Sequence, residues 1–167
     1  FENVKVPKEN ILGDPEKGFS QFLETLSGGR ITIGGLSLGI AQGAFNAAVR
    51  YSRERHAFGK EISKFQGISF KISDMATQIE AAKHLVYHAA WLKDNNMPFI
   101  KEAAMAKLFS SETAMYVTTE AIQVHGGYGY IKEYNVERYF RDAKILEIGE
   151  GTSEIQRIII SREILKN

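Results

Sequence analysis

The sequence predicts an all-α fold, an antiparallel helical bundle of four to five helices. Apolar residues recur at helical spacing through long segments, as at Ile33, Leu36 and Ile40. Only residues 1–7 alternate apolar and polar side chains as a strand does, and Pro7 ends that pattern. Short runs of Gly, Pro and Asn separate the long segments. Long helices joined by short connections pack as antiparallel neighbours.

The composition restricts the classes of function. A chain of 167 residues with 44% hydrophobic residues is long enough for one domain with a real core. Its 21 Lys and Arg against 20 Asp and Glu give no reason to expect a nucleic-acid partner. The absence of cysteine excludes disulfides, thiol chemistry and a zinc-thiolate site. No apolar run has the length of a membrane span and no signal pattern is present, so we expect a soluble protein that is not secreted.

The first helix is expected to follow a loop at residues 10–17. Its apolar spacing starts at Phe19, is interrupted at Ser27-Gly28-Gly29, and resumes as far as Tyr51. Arg30 would then begin the longer segment of this helix. One interpretation of Arg30 is a solvated arginine at a helix break. A polar break over residues 53–60 separates this helix from the next.

Four more helices are expected. The second runs over residues 62–95, and the third starts with Pro98 in its first turn and stops at Gly126-Gly127. The fourth covers residues 135–143, and the fifth covers 153–166. We expect the following large side chains to lie in the core: Phe45, Phe65, Phe70, Trp91, Phe109, the methionines, and, from the fifth helix, Ile155, Ile158, Ile159 and Leu165.

The turn before the fifth helix carries the candidate catalytic group. Ser153 and Gln156 have the spacing of a capping box, which places a helix start near Ser153. Gly149 and Gly151 leave the carboxylate of Glu150 uncrowded. A carboxylate here that is desolvated by an apolar ligand would become a stronger base. The alternative is simple pairing of Glu150 with the helix dipole.

Four ordered blocks of the sequence resemble the C-terminal helical domain of the acyl-CoA dehydrogenase family. They are Gly29-Arg30-Ile31, residues 55–60 with Phe65-Gln66, residues 123–129, and residues 150–162. Residues 98–107 are most similar to the short-chain, butyryl-type members. The resemblance implies that residues 1–14 are the end of a middle β-domain plus a linker, and that residues 15–167 form the helical bundle domain.

The resemblance also implies a reaction. Glu150 would remove the pro-R α-proton of a short- or medium-chain acyl-CoA thioester, while the β-hydride passes to N5 of FAD and trans-2-enoyl-CoA forms, as in fatty acid β-oxidation. Some family members place the base at the position of Gly29, where glycine cannot serve. Many short- and medium-chain relatives have a tyrosine at the position of Gly149, so the resemblance does not fix the length of the acyl chain.

The family's binding residues correspond to two sets here. The substrate-binding set is Ser27, Gly28, Gly29, Arg30 and Gly151. The cofactor-binding set is Arg55, Phe58, Gln66, Gln123, Val124, His125, Gly126, Gly127, Thr152, Ser153 and Glu154. No metal is expected. Glu80, His84 and His88 have helical spacing that could present metal ligands, but an exposed polar stripe explains it equally.

The resemblance implies partners and a location. Electron-transferring flavoprotein would accept the electrons, and a homotetramer, a dimer of dimers, would share FAD sites between subunits. The location would be the bacterial cytoplasm or the mitochondrial matrix. The isolated chain is expected to fold without being active. Two alternatives stay open, a flavin-dependent acyl-CoA oxidase and a non-catalytic helical oligomerisation domain.

Overall fold

The computed structural model describes residues 1–166 and shows the predicted helical bundle; Asn167 lies outside the described residues. Its five α-helices in that range are α1 (Gly18–Glu54), α2 (Gln66–Asp94), α3 (Ile100–His125), α4 (Val136–Ile148) and α5 (Ser153–Ile164). A small hairpin, β1 (His56–Ala57) with β2 (Lys60–Glu61), joins α1 to α2. Single turns of 3-10 helix cover Lys8–Asn10, Pro15–Lys17, Ile62–Lys64 and Gly126–Gly129.

Helix α3 lies at the centre of the bundle. It packs most extensively on α1, and α2, α4 and α5 also contact it. More than half of the buried apolar residues in the described part of the chain are alanines, including Ala44, Ala48, Ala114 and Ala121. Small side chains let helix axes approach closely, so few large residues are needed to fill the space between them. Within residues 1–166, no helix has the length and apolar character that membrane crossing requires.

The helix boundaries differ from the predicted ones in several places, and α2 starts at Gln66 rather than at residue 62. Helix α1 is continuous through Gly28 and Gly29, because packing on α3 outweighs the glycines' weak helix propensity. Pro98 lies before α3 rather than in its first turn. Helix α4 extends to Ile148, beyond the predicted residue 143, and α5 ends at Ile164. Residues 1–7 form no strand in this structure.

Several side chains predicted to lie in the core are exposed. Phe70 and Trp91 on α2 are 60% and 55% exposed, whereas Met75 on the same helix is fully buried. Of the four residues predicted to lie in the core from the fifth helix, only Ile159 is buried, and Ile155, Ile158 and Leu165 are exposed. Helices α2 and α5 lie at the outside of the bundle, so each buries only the stripe that faces α3 or α1. Phe45, Phe65 and Phe109 are half-buried.

Candidate functional site

The turn that carries Glu150 connects α4 to α5 and has an unusual backbone. Glu150 has φ of 56° and Gly151 has φ of 93°. A left-handed backbone costs a non-glycine residue roughly 1–2 kcal/mol, so neighbouring contacts must hold Glu150 in this conformation.

The carboxylate of Glu150 lies against α1 at Gly29. A Cβ atom added to Gly29 would come within 2.7 Å of Glu150 Oε2 and 3.3 Å of Cδ. The missing side chain at position 29 therefore makes the space that the carboxylate occupies. The sequence predicted each residue separately, and the structure brings them into contact.

Two side chains fix the backbone of this turn. Gln156 Nε2 donates to the carbonyl oxygens of Glu150 at 3.2 Å and Gly151 at 2.9 Å. Lys107 Nζ, from α3, donates to the same Gly151 oxygen at 2.8 Å. The capping-box prediction was therefore wrong in detail: α5 starts at Ser153, but Thr152 is the N-cap and accepts from Ile155 N, while Gln156 binds carbonyls.

A cavity of about 630 Å³ opens beside this turn, and we call it the Glu150 cavity. Its polar wall includes four predicted residues, Ser27, Arg30, Glu150 and Gly151. The rest of the wall consists of Ser20, Leu23, Glu24, Leu26, Phe99, Ile100, Ile155, Ile159 and Arg162. The exposed Ile155 of α5 thus forms part of the cavity wall. Gly28 and Gly29 line an adjoining cavity of about 860 Å³, which shares Glu24 and Phe99 with the Glu150 cavity.

Arg30 is a buried cation at the edge of the Glu150 cavity. It is only 6% exposed, so the interpretation as a solvated arginine at a helix break was wrong. Its Nη1 donates to Ser27 Oγ at 3.1 Å, but its Nε has no hydrogen-bond partner among residues 1–166. Burial lowers the pKa of Arg30; the Glu150 carboxylate opposes that effect and Arg162 adds to it. A buried guanidinium with a free donor is suited to an anionic or carbonyl ligand.

A second cavity, of about 560 Å³, lies at the other end of α3, and we call it the Gly126 cavity. Six of the residues that line it were predicted to bind the cofactor: Arg55, Gln123, Val124, His125, Gly126 and Gly127. The other lining residues are Tyr51, Ile62, Tyr128 and Ile131. Gly126 ends α3 with φ of 60°, as predicted for a glycine stop.

His125 forms the floor of the Gly126 cavity. Its ring stacks on Tyr51 with centroids 4.2 Å apart, and its Nδ1 lies 2.8 Å from Ala121 O, which makes Nδ1 the donor in the neutral ring. Burial lowers the pKa of His125, and the bond to the Ala121 carbonyl opposes this effect. The imidazole therefore favours its neutral form, as part of an aromatic cluster that also includes Tyr134.

The Gly126 cavity has the features of a site for a flat, anionic cofactor. A Cβ atom added to Gly126 or Gly127 would meet no atom within 4 Å, so the backbone faces open space. The guanidinium of Arg55 lies 5.7 Å from the centroid of the Tyr128 ring. The residues present therefore combine a cation for a phosphate, an aromatic surface and an unobstructed backbone.

The predicted cofactor residues do not all lie together. Thr152, Ser153 and Glu154 belong to the Glu150 end of the bundle, and the Ser153 hydroxyl is buried without a hydrogen-bond partner among residues 1–166. Phe58 and Gln66 are exposed near the hairpin. Arg30 lies in α1 and Arg55 is the C-cap of the same continuous helix, 25 positions later, which corresponds to about 37 Å at 1.5 Å per residue. The two cavities therefore lie at opposite ends of the molecule.

Several residues at the two sites were not among the predicted site residues, including Arg162 and Tyr51, which line the cavities, and Lys107, which contacts the Glu150 turn. Lys107 is fully buried, although lysine is almost never buried without a charged partner. The available signal was its position on the apolar stripe of α3, four residues after Ala103 and seven before Ala114.

The polar stripe on α2 is an ordinary surface feature. His84 Nε2 lies 3.4 Å from Glu80 Oε1, and His88 stacks on Trp91. No group of three potential metal ligands occurs anywhere in residues 1–166.

Comparison with known proteins gives consistent matches. The family model for the acyl-CoA dehydrogenase C-terminal domain matches residues 16–165. The chain is 61% identical over 166 residues to the probable acyl-CoA dehydrogenase YngJ of Bacillus subtilis, covering 99% of this chain and 44% of that protein. It is 53% identical, with the same coverage, to the caffeyl-CoA reductase-Etf complex subunit CarC of Acetobacterium woodii.

A solved structure shares the fold at high similarity. Butyryl-CoA dehydrogenase from Megasphaera elsdenii superposes with a TM-score of 0.97 at 52% identity, over 99% of this chain and 43% of that one. The chain thus spans less than half of the length of the relatives it matches.

Proposed function

Because the chain belongs to the acyl-CoA dehydrogenase family, whose C-terminal domain it matches over almost its whole length, we propose that the complete protein α,β-dehydrogenates short- or medium-chain acyl-CoA thioesters. Glu150 is the base that takes the α-proton, and trans-2-enoyl-CoA is the product. The observation that carries this proposal is the position of the Glu150 carboxylate, held on the bare backbone of Gly29 at the edge of a cavity with apolar walls.

The Glu150 cavity is suited to a thioester with an alkyl chain. Leu23, Leu26, Phe99, Ile100 and Ile159 provide apolar surface for the chain. The bound chain would exclude water from the carboxylate, which favours proton transfer to Glu150. The free Nε of Arg30 and the polar atoms of Ser27 and Gly151 lie at the polar side, where we place contacts to the CoA half of the substrate.

FAD would be the acceptor of the β-hydride. Residues at the two ends of the bundle would hold different parts of one FAD molecule or parts of two different FAD molecules. Thr152, Ser153 and Glu154 are beside Glu150, where a flavin ring must lie for hydride transfer. Arg55, Gln123 and Gly126 are at the opposite end, too far to contact the same ring. We therefore propose that the Gly126 cavity serves the FAD of a neighbouring subunit in a homo-oligomer.

The relatives support a flavoprotein electron acceptor. The name of CarC places that protein in a complex with Etf, and by analogy we propose electron-transferring flavoprotein as the acceptor here. CarC is named a reductase, so the same site in this protein could also reduce an enoyl-CoA, with Glu150 returning the α-proton. The two directions use the same groups and differ only in the potential of the electron partner.

The test is anaerobic bleaching of flavin absorbance in the complete protein. Butyryl-CoA and octanoyl-CoA should both be tried, and Glu150→Gln should slow bleaching by about 10²–10⁴, the usual contribution of a general base. Glu24, the other carboxylate that lines the Glu150 cavity, provides the matched variant, Glu24→Gln. Loss of bleaching in Glu24→Gln with full activity in Glu150→Gln would show that the base is misassigned.

Other outcomes separate the alternative functions. Peroxide production in air at the rate of substrate oxidation would identify an acyl-CoA oxidase. Equal rates in wild type and Glu150→Gln would favour an oligomerisation role for this domain. We expect the 167-residue chain alone to show no turnover with a dye acceptor, because it spans less than half of its relatives; turnover by the chain alone would contradict this expectation.

A further inference from the structure

Lys107 is a buried cation for which the proposed reaction has so far provided no role. It is 0% exposed at the interface of α3 with the Glu150 turn, and its one hydrogen bond within residues 1–166 goes to the carbonyl of Gly151. An ammonium group has three donors, and burying it costs free energy unless it is paired. A buried lysine with a single carbonyl partner is therefore unusual for a purely structural residue.

The Gly151 carbonyl does not depend on Lys107 to be satisfied. Gln156 Nε2 already donates to it at 2.9 Å and also reaches the Glu150 carbonyl. An apolar residue at position 107 would leave both carbonyls with a partner. What only Lys107 adds is a second anchor from a different helix, 44 positions away in the sequence, together with a positive charge.

The anchor acts on a strained part of the backbone. Glu150 and Gly151 are consecutive residues with positive φ, and the Gly151 carbonyl ends that segment. Rotation of this peptide unit would move the Glu150 side chain away from Gly29. Fixing its carbonyl from α3 and α5 together limits that rotation.

The charges around Lys107 come from every element that contacts it. Burial lowers the pKa of Lys107; Glu147 of α4 is the strongest opposing group, followed by Glu112 of α3 and Glu150, while Arg30 of α1 adds to the lowering. Lys107 and Arg30 are thus two buried cations that both interact electrostatically with the exposed carboxylate of Glu150.

We propose that Lys107 is a positioning residue for proton abstraction, which holds the Gly151 peptide so that the Glu150 carboxylate stays on Gly29 and faces the substrate's α-carbon. This inference rests on the proposed function, since it assumes that Glu150 is the base. Lys107 does not contact substrate and acts only through the turn.

The test uses Lys107→Met in the complete protein loaded with FAD. Methionine has a similar length but no donor and no charge. We expect the first-order rate of flavin bleaching by saturating butyryl-CoA to fall by about 10², the size of effect that a misplaced catalytic group produces. The Kd of crotonyl-CoA, the product, should stay within about twofold, because the cavity walls are intact.

An isotope effect separates positioning from damage to the fold. With butyryl-CoA deuterated at the α-carbon, the isotope effect on bleaching should be as large in Lys107→Met as in wild type, or larger, because proton removal has become slower. A structural defect would reduce the amount of flavoprotein without changing the rate per bound flavin. An unchanged rate per flavin in Lys107→Met would overturn the proposal.

A milder variant and a control complete the design. Lys107→Gln keeps a donor, but its side chain is shorter than that of lysine and uncharged, so it should hold the carbonyl less well and give an intermediate rate; if Lys107→Met does not fold, a wild-type rate in Lys107→Gln overturns the proposal. Lys71→Met, which removes the ion pair of Lys71 with Glu120 between α2 and α3, should leave the rate per flavin unchanged. Glu150→Gln is measured in parallel: if it bleaches normally, the proposed base is wrong, whereas if it is inactive and Lys107→Met is normal, only the role of Lys107 fails.

Discussion

The Glu150 and Gly126 ends of the bundle are built on the same two helices, α1 and α3, but with opposite chemistry. At the Glu150 end, two buried cations, Arg30 and Lys107, lie near a carboxylate on a left-handed backbone. At the Gly126 end, the ring of His125 is buried, with the half-buried Tyr51 stacked on it and the half-buried Tyr134 packed edge-on against it.

The difference shows how one small bundle can serve two purposes. Buried charges and a left-handed residue cost folding free energy and are retained where a reactive group must be held in place. Stacked rings and buried methyl groups contribute folding free energy and present a rigid surface. We therefore expect substitutions at the Glu150 end to change reaction rates, and substitutions at the Gly126 end to change stability and cofactor retention.

Gly29→Ala should show the largest effect. It tests the expectation that substitutions at the Glu150 end change reaction rates. The added methyl group would need the space of Glu150 Oε2, so the carboxylate must move, and flavin reduction should fall by about 10². Gly35→Ala, where an added Cβ meets no atom within 4 Å, is the control. Stopped-flow absorbance gives the rates. A normal rate in Gly29→Ala would mean that this contact has no part in catalysis.

Tyr51→Leu tests the expectation that substitutions at the Gly126 end change stability and cofactor retention. Loss of the stack on His125 and the edge contact with Tyr134 should lower the free energy of unfolding by about 2 kcal/mol, given 0.5–1.5 kcal/mol for each aromatic pair. Flavin should also dissociate more readily from the complete protein. Urea unfolding of the chain and flavin release measure the two effects, with Tyr87→Leu on the exposed face of α2 as control. Equal stability of both variants would contradict the assignment of stability to this end.

Gly34→Ala probes the middle of α1, between the two ends. A Cβ there would lie 2.9 Å from Val86 Cγ2 and 3.4 Å from Ser110 Oγ, so overpacking should exceed the gain in helix propensity and destabilise the chain by about 1 kcal/mol. Gly39→Ala faces open space and should instead stabilise it by roughly 0.5–1 kcal/mol. Paired urea titrations decide the signs. Stabilisation by Gly34→Ala as well as by Gly39→Ala would mean that α1 and α2 are not as closely packed as described.

The smallest effect concerns pH and His125. Since burial lowers its pKa, the unfolded chain binds the proton more readily below the ordinary value of about 6.5. The free energy of unfolding should therefore decrease as pH falls below 6.5, by at most about 1.4 kcal/mol per pH unit from this group. His125→Gln should remove that part of the slope. The free energy of unfolding is measured against pH between 7.5 and 5.5. Identical slopes for wild type and His125→Gln would contradict the expected contribution of His125.

The local sequence pattern was sufficient to predict the helices. The glycines at 126 and 127 stop α3 as expected, and the turn before Ser153 precedes α5, because a helix end depends on a few neighbouring residues. The larger errors were in side chains. Trp91 and Phe70 are as hydrophobic as core residues, but their exposure depends on which faces of α2 have a neighbour, and sequence spacing does not give that.

The sequence by itself determined the bundle, the order of its helices and the family resemblance of the blocks around Arg30, Gly126 and Glu150. Only the tertiary structure decided that the Glu150 carboxylate lies on Gly29, that Lys107 reaches the Gly151 carbonyl, and that the predicted cofactor residues divide between two ends. The physical reason is distance along the chain. Periodicity reports contacts within a few residues, whereas the environment of a buried charge is set by helices that are far apart in sequence and meet only after folding.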